Sequence, residues 1–514
     1  MLFNSYVFLI VFLPITMLIF CIFTRQKNQH IIIGWLVITS LFFYAWWNPI
    51  YLTLILSSIL FNYALGFCLT HTGSVCRKKL IMVFGISVNL GVLGYFKYTN
   101  FFIDLLNNVA YTTYTLPRII LPLAISFFTF TQIAYLVDTY RGGTPKHSFL
   151  DYCLFVTFFP HLIAGPIVRH WEIFPQITDK KFRFFHEDFS VGLTIFLIGL
   201  FKKVLFADTI AIYATPVFSA AANCTQVTFF EAWGGILAYT LQIYFDFSGY
   251  SDMAIGLARM FGIKFPVNFN SPYKATSIID FWRRWHITLS RFLRDYLYIP
   301  LGGSLKGSTR RYINLMITMI LGGLWHGANL TFVFWGTLHG FYLIVNHAWR
   351  AFLKAIGFKS TANNWLGISF NKILTFLAVA VGWVFFRSES PSAAIAILYG
   401  MMGKNGISFP PVLQGHLGSF ESFFSSLGVT FNGFGAFEGR GFFLIFILLG
   451  IVWFTPNTQE WMAHMNPALE PVKNPARLQW KPTFTVGIVL GILLFFVVQS
   501  YFTLTPSEFL YFNF

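Results

Sequence analysis

Charge is what this chain has least of: only 11% of its 514 residues are Asp, Glu, Lys or Arg, against roughly 25% in an ordinary soluble domain. Hydrophobic residues make up 56%, more apolar side chain than a soluble core can bury, which excludes a water-soluble globular protein. The five cysteines (21, 68, 76, 153 and 224) are odd in number and have no C-x-x-C spacing. That pattern supports neither a disulfide framework nor a zinc site. Met1–Phe23 has no basic n-region and no small-residue cleavage site, so it reads as a retained first span rather than a removed signal peptide. No lipidation motif and no repeat of fixed period appear.

What is present is a series of apolar runs close to the roughly 20 residues that a helix needs to cross a bilayer. They cover Tyr6–Phe23, Ile31–Trp47, Ile50–Leu69, Leu80–Phe96, Ile119–Val137, Val191–Phe206, Trp233–Phe247, Ile373–Phe386, Phe442–Phe454 and Phe484–Phe502. A further stretch, Ile313–Trp349, is interrupted by Gly322, Gly323 and Gly327. The fold class is therefore an all-α polytopic membrane protein. Aromatic residues reach 20%, suited to lipid-facing and headgroup-level positions.

Basic residues orient the spans, because loops rich in Lys and Arg stay cytoplasmic. Arg25 and Lys27, Arg77 to Lys79, and Arg141 with Lys146 follow the first, third and fifth runs, which puts the N-terminus outside. Lys180, Lys181 and Arg183 precede the sixth run, so Leu154–Ile167 dips in and returns to the same side. Residues 259–311 carry ten Lys or Arg and form a cytoplasmic-side amphipathic segment. Arg350, Lys354 and Lys359 then require an even number of crossings in Ile313–Trp349, as a hairpin or a re-entrant pair. Residues 387–440 become an outer, periplasmic loop region, and the C-terminus is outside. Lys202 and Lys203 do not fit this scheme. The net charge of +16 is otherwise explained by topology, so nucleic acid is not expected as a partner.

In Leu321-Gly-Gly-Leu-Trp-His-Gly-Ala-Asn-Leu330, His326 lies at membrane depth, where ionisable groups are costly and face a cavity or a partner. Either it is a core histidine bonded to a carbonyl, or it is a general base kept neutral by burial. Asn329, one turn on, would orient it or bind an oxyanion. His339 is about 20 Å further along if the helix is continuous. With His161 and His347 it completes the buried histidines, but no His-x3-His pair or carboxylate partner supports a metal or haem site. In Phe281 to Tyr298, helical stepping gathers Arg283, Arg284, Arg291 and Arg294 into one quadrant, opposite Phe281, Trp285, Leu289, Phe292 and Tyr296, with His286 at the margin. These arginines meet either anionic lipid headgroups or the phosphates of a cytoplasmic acyl donor. The aromatic C-terminus, Ser507 to Phe514, is either an interfacial belt or the carrier of an acyl relay hydroxyl.

Several motifs together resemble the membrane-bound O-acyltransferase family and, within it, the bacterial branch containing the membrane subunit of alginate O-acetylation. They are Phe159-Pro-His-Leu-Ile-Ala-Gly-Pro166, Tyr244-Phe-Asp-Phe-Ser-Gly-Tyr-Ser-Asp-Met-Ala-Ile-Gly256, Phe281-Trp-Arg-Arg-Trp-His286, Arg294-Asp-Tyr-Leu-Tyr-Ile-Pro-Leu-Gly-Gly303 and the His326 motif. The resemblance covers most of the chain. It implies a single membrane domain over 1–514, a ring of about 10–12 helices with re-entrant segments around a thin centre. It further implies His326 as the essential histidine, flanked by Trp325, and His286 as a second one at the cytoplasmic end of a tunnel.

The function so implied is transfer of acetyl groups from cytoplasmic acetyl-CoA, across the bacterial inner membrane, for O-acetylation of an exported polysaccharide such as alginate. Acetyl-CoA is a substrate, and no resident cofactor or metal is expected. The partners implied are periplasmic or membrane-anchored acetyltransferases, and Tyr511 is the candidate relay hydroxyl. The rival is a flippase or transporter for polysaccharide or lipid-linked sugar; the chain shows neither the internal inverted repeat nor the intramembrane charge ring expected of one.

Overall fold

The computed structural model describes every residue except 116, 180–181, 358–363, 410–412, 432–436, 438, 504–507 and 511–514. Among the described residues every regular element is a helix, and the one strand-like contact is an isolated bridge between Ser408 and Thr430. Each apolar run expected to span falls largely on a helix: Val7–Gln26, Gln29–Ala45, Tyr51–His71, Val75–Ala110, Ile125–Tyr140, His186–Ala222, Phe229–Met260, Trp365–Arg387, Gly439–Phe454 and Phe484–Thr503. Among the described residues five helices are long and apolar enough to cross a membrane: Val7–Gln26, Tyr51–His71, Val75–Ala110, His186–Ala222 and Trp365–Arg387. The fifth expected run starts late, at Ile125 rather than Ile119. Pro122 lacks the N–H that a helix interior requires, and Ala124 adopts a left-handed conformation at φ 64.

The chain folds as two compact units. One comprises residues 1–201, 249–268 and 458–513, the other 202–248 and 269–457 with residue 514. The expected amphipathic segment 259–311 is divided between them, and 387–440 lies within the second. The region 387–440, expected as a loop, is not all loop, since it contains the helices Pro391–Met401 and Ser419–Ser426.

In the first unit, Leu154–Ile167 bends instead of running straight. The helix Phe149–Thr157 stops at Phe158, a short turn Phe159–Leu162 follows, and Gly165 returns against the backbone of His161. The absence of side chains lets two helical segments touch backbone to backbone. A Cβ on Gly192 would lie 2.5 Å from the Gly256 carbonyl, and one on Gly199 would lie 2.5 Å from that of Gly249.

In the second unit, Ile313–Trp349 resolves into an antiparallel hairpin of Gly307–His326 and Leu330–Ala355. The helix does not break at Gly322 and Gly323. It ends at Gly327, and the glycines bring the arms together: a Cβ on Gly323 would overlap the Phe332 carbonyl, and one on Gly336 that of Met319. Lys203, which the topology scheme leaves unexplained, is no loop cation. It is 1% exposed, and its Nζ lies 2.7 Å from Oδ1 of both Asp208 and Asp246. It sits on a π-helical turn, Lys202–Ala207, set into the helical run His186–Ala222. Such widened turns accommodate an extra residue and often mark functional positions.

Candidate functional site

His326 is the last residue of Gly307–His326 and is 3% exposed. Gly327 leaves the helix in an extended conformation, and Asn329 starts the next helix by accepting a hydrogen bond from the Thr331 N–H at 3.1 Å. The other end of the Asn329 amide donates to the Glu389 carbonyl at 2.9 Å. Asn329 thus closes the hairpin turn and ties it to the chain beyond Trp365–Arg387, and it makes no hydrogen bond to His326. The helix ends between the two residues, so Asn329 does not stand one helical turn beyond His326.

Aromatic rings enclose His326. Centroids lie at 4.9 Å for Trp325, 5.2 Å for Trp335 and 5.1 Å for Phe386, all near edge-to-face. Trp335 and Phe386 come from elements that sequence spacing does not connect to His326, so neither is named by the motif. The signal available was compositional: both lie in apolar runs whose aromatic content marks tunnel walls as readily as lipid contacts.

The segment carrying His286 is not one amphipathic helix. It is Ile278–Trp282, a turn, Ile287–Leu293 and a π-helical turn Arg294–Tyr298, with His286 between the first two at φ 41. A non-glycine residue in the left-handed region is uncommon, and such strain gathers at functional positions. The kink takes His286 off the expected margin between helix faces and buries it fully. Its ring meets Phe247 at 4.8 Å and Trp325 at 6.2 Å, and lies 6.5 Å from the His326 ring. Two imidazoles separated by 40 residues therefore share one aromatic chamber. Residue 286 is on the connecting segment, not in a spanning helix, and burial pulls its pKa from 6.5 down to about 3. The ring is neutral and able to accept a proton.

The kink also dissolves the arginine quadrant. Arg284 is paired with Asp280 at 2.9 Å and Arg294 with Asp295 at 2.7 Å. Arg291 is half-buried on Ile287–Leu293, and Arg283 is exposed at the end of Ile278–Trp282. His339 is buried in the second unit among Trp282, Trp335 and Phe281. His161 belongs to the first unit, beside Phe158 and Phe265. Tyr511 lies outside the described residues. Among the described residues no three His, Cys, Asp or Glu side chains come together as metal ligands. The chamber thus holds two imidazoles in a buried aromatic enclosure, an arrangement suited to moving a proton during an acyl transfer.

Comparison with known proteins points the same way. A family model described as MBOAT, membrane-bound O-acyltransferase family, matches residues 143–386, a range that contains both histidines. The chain is 40% identical to a peptidoglycan O-acetyltransferase of Helicobacter pylori, with 100% of this chain and 98% of that one aligned. It is 43% identical to a probable alginate O-acetylase of Pseudomonas aeruginosa over 77% of this chain and 73% of the relative. A teichoic acid D-alanyltransferase of Bacillus subtilis is 27% identical over 52% of this chain and 69% of its own.

Proposed function

The chain belongs to the membrane-bound O-acyltransferase family, and from that premise we propose that it draws acetyl groups from cytoplasmic acetyl-CoA to O-acetylate an exported polysaccharide. The observation that carries the reading is the pairing of buried His286 and His326 rings 6.5 Å apart within one unit. His326 takes the proton of an acceptor hydroxyl, and the freed oxygen attacks the thioester carbonyl carbon. The carbon–sulfur bond then breaks, and the departing thiolate takes the proton back from His326. His286 is the neutral group beside this exchange, suited to donate to or receive from the sulfur side.

In this reading the chain sits in the inner membrane with both termini on the outer side, and a periplasmic or membrane-anchored acetyltransferase receives the acetyl group. The hydroxyl of Tyr511 is a relay for it. Relatives named for peptidoglycan and for alginate both acetylate exported glycans, and the full-length match to the peptidoglycan enzyme favours glycan strands as the acceptor. The test is acetyl-CoA hydrolysis by purified protein, together with O-acetyl released by mild base from isolated peptidoglycan, for wild type and His326→Ala. Loss of both signals with unchanged membrane abundance is expected. Full acetylation in the variant refutes the role of His326, and an unacetylated wild-type peptidoglycan beside an acetylated exopolysaccharide refutes the choice of polymer.

A further inference from the structure

Ring contacts hold a side chain loosely, because the hydrophobic effect is non-directional, whereas a hydrogen bond fixes both distance and angle. The two imidazoles of the chamber are walled by rings: Trp325, Trp335 and Phe386 against His326, and Phe247 and Phe269 against His286. A wall built that way keeps its register through the polar handles that its outer rings carry.

One such handle is in place. Trp383, from the helix Trp365–Arg387, is fully buried, and its Nε1 donates to the Tyr273 hydroxyl at 3.2 Å. Tyr273 in turn donates to the Thr240 carbonyl at 2.6 Å. The direction of this chain is fixed, since an indole nitrogen only donates and a carbonyl only accepts, and a phenol hydroxyl does both. It joins three segments of the second unit: Trp365–Arg387, the turn Pro272–Lys274 and the helix that carries Thr240. Local sequence places the tyrosine there. Ser271 is left-handed at φ 45, Pro272 opens the turn, and Tyr273 is 1% exposed.

Trp383 connects this fixed point to both histidines. Its ring stacks on Trp335 at 6.0 Å and meets Phe386 edge-on at 5.2 Å, and those two rings touch His326 at 5.2 and 5.1 Å. On its other side Trp383 lies 4.9 Å from Trp285, the residue before His286. Trp285 also stacks on Tyr273 at 6.1 Å and meets Phe269 at 5.0 Å, and the Phe269 ring stacks on His286 at 6.5 Å. The imidazoles come from separate chain segments, so their 6.5 Å separation depends on what stands behind both of them. Misplacing a catalytic group by about 1 Å costs on the order of a hundredfold in rate.

We propose that Tyr273 is a positioning residue for the acyl-transfer reaction: its hydroxyl pins the Trp383 indole to the Thr240 carbonyl and thereby holds His326 and His286 at their working separation. The role is exerted through Trp383 and requires no contact with the reacting atoms. It rests on the reading that the two histidines act together on an acetyl-CoA thioester.

The experiment compares Tyr273→Phe, Trp383→Phe and the double variant with wild type in phosphatidylcholine nanodiscs, each substitution keeping a ring and deleting one polar group. It measures kcat and KM for acetyl-CoA hydrolysis and the thermal midpoint. Alongside, O-acetyl released by mild base from the envelope and exopolysaccharide of cells carrying each variant is scaled to membrane abundance. Each single variant should lose about tenfold in kcat with KM unchanged. The double variant should lose no more than either single, because the tether is already broken. Tyr44→Phe is the control: it deletes a buried phenol that donates to the Leu123 carbonyl at 3.1 Å in the first unit, and should lower the thermal midpoint without lowering kcat. A kcat retained in Tyr273→Phe overturns the proposal. So do single losses that multiply to about a hundredfold in the double variant, and so does a Tyr44→Phe that loses as much kcat as Tyr273→Phe. If Tyr273→Phe does not accumulate in the membrane, Trp383→Phe carries the test alone, with retained kcat again the overturning result. Wild-type protein that turns over no acetyl-CoA refutes the donor reading, and the tether then stands or falls on whether the single and double variants lose polymer acetylation equally.

Discussion

Replacing Lys203 with Met tests whether the buried charge triad supports the fold of the second unit. Lys203 and Asp246 are 1% and 2% exposed, and the ammonium lies 2.7 Å from carboxylates on both sides. Removing the cation leaves Asp246 charged, desolvated and next to a second acid. Breaking a buried pair from one side costs about 3–5 kcal/mol, because the stranded charge keeps its desolvation penalty. Against a total stability of about 5–15 kcal/mol, that is a loss of about 30–50% for a protein in the middle of this range. The assay is the thermal midpoint of detergent-purified protein, with membrane abundance beside it. The double variant Lys203→Met with Asp246→Asn should recover part of the loss, since no charge is then stranded deep in the helices, while Asp208 retains partial exposure. A single variant as stable as wild type, or a double variant that costs the full sum of the singles, refutes the reasoning.

Three further outcomes follow from the packing around the chamber. Gly323→Ala drives a methyl group into the Phe332 carbonyl and the Gly336 backbone. It should part the hairpin, lowering acetyl transfer more than tenfold, at a cost of about 1–3 kcal/mol; transfer by purified variant and wild type decides it. Asn329→Ala removes a helix cap and the tie to Glu389, for about 1 kcal/mol in thermal stability, and should spare transfer far better than His326→Ala. For His286 the folded pKa, about 3, lies below the ordinary 6.5, so below pH 6.5 the unfolded chain binds a proton that the folded one does not. Stability should therefore fall as pH drops from 7 to 5, and less steeply in His286→Asn; parallel slopes exclude this residue as a cause.

How much of this was legible in the sequence depends on the range of the interaction concerned. Apolar run length locates the spanning helices, because crossing a bilayer is a one-dimensional requirement met by consecutive residues. The charge scarcity, the glycine-flanked His326 and the break near Gly327 are local properties too, and the motif resemblance pointed to the family that the comparisons show. A helical wheel is also local, but it assumes an unbroken helix. His286 at φ 41 breaks that assumption and divides the expected arginine face among separate short helical segments, with Arg284 and Arg294 held in ion pairs.

What tertiary structure alone decided are the meetings between distant residues. Lys203 does not fit the loop-charge scheme, and one of the two carboxylates that neutralise it, Asp246, lies 43 positions away. His286 and His326 became neighbours only through the kink and the hairpin turn. Trp335, Phe386 and His339 gained their surroundings from helices that no spacing rule connects. In an apolar chain many residues are equally able to face lipid or a chamber, since composition is the same for both. Burial selects among them through packing, and packing depends on which helices lie side by side.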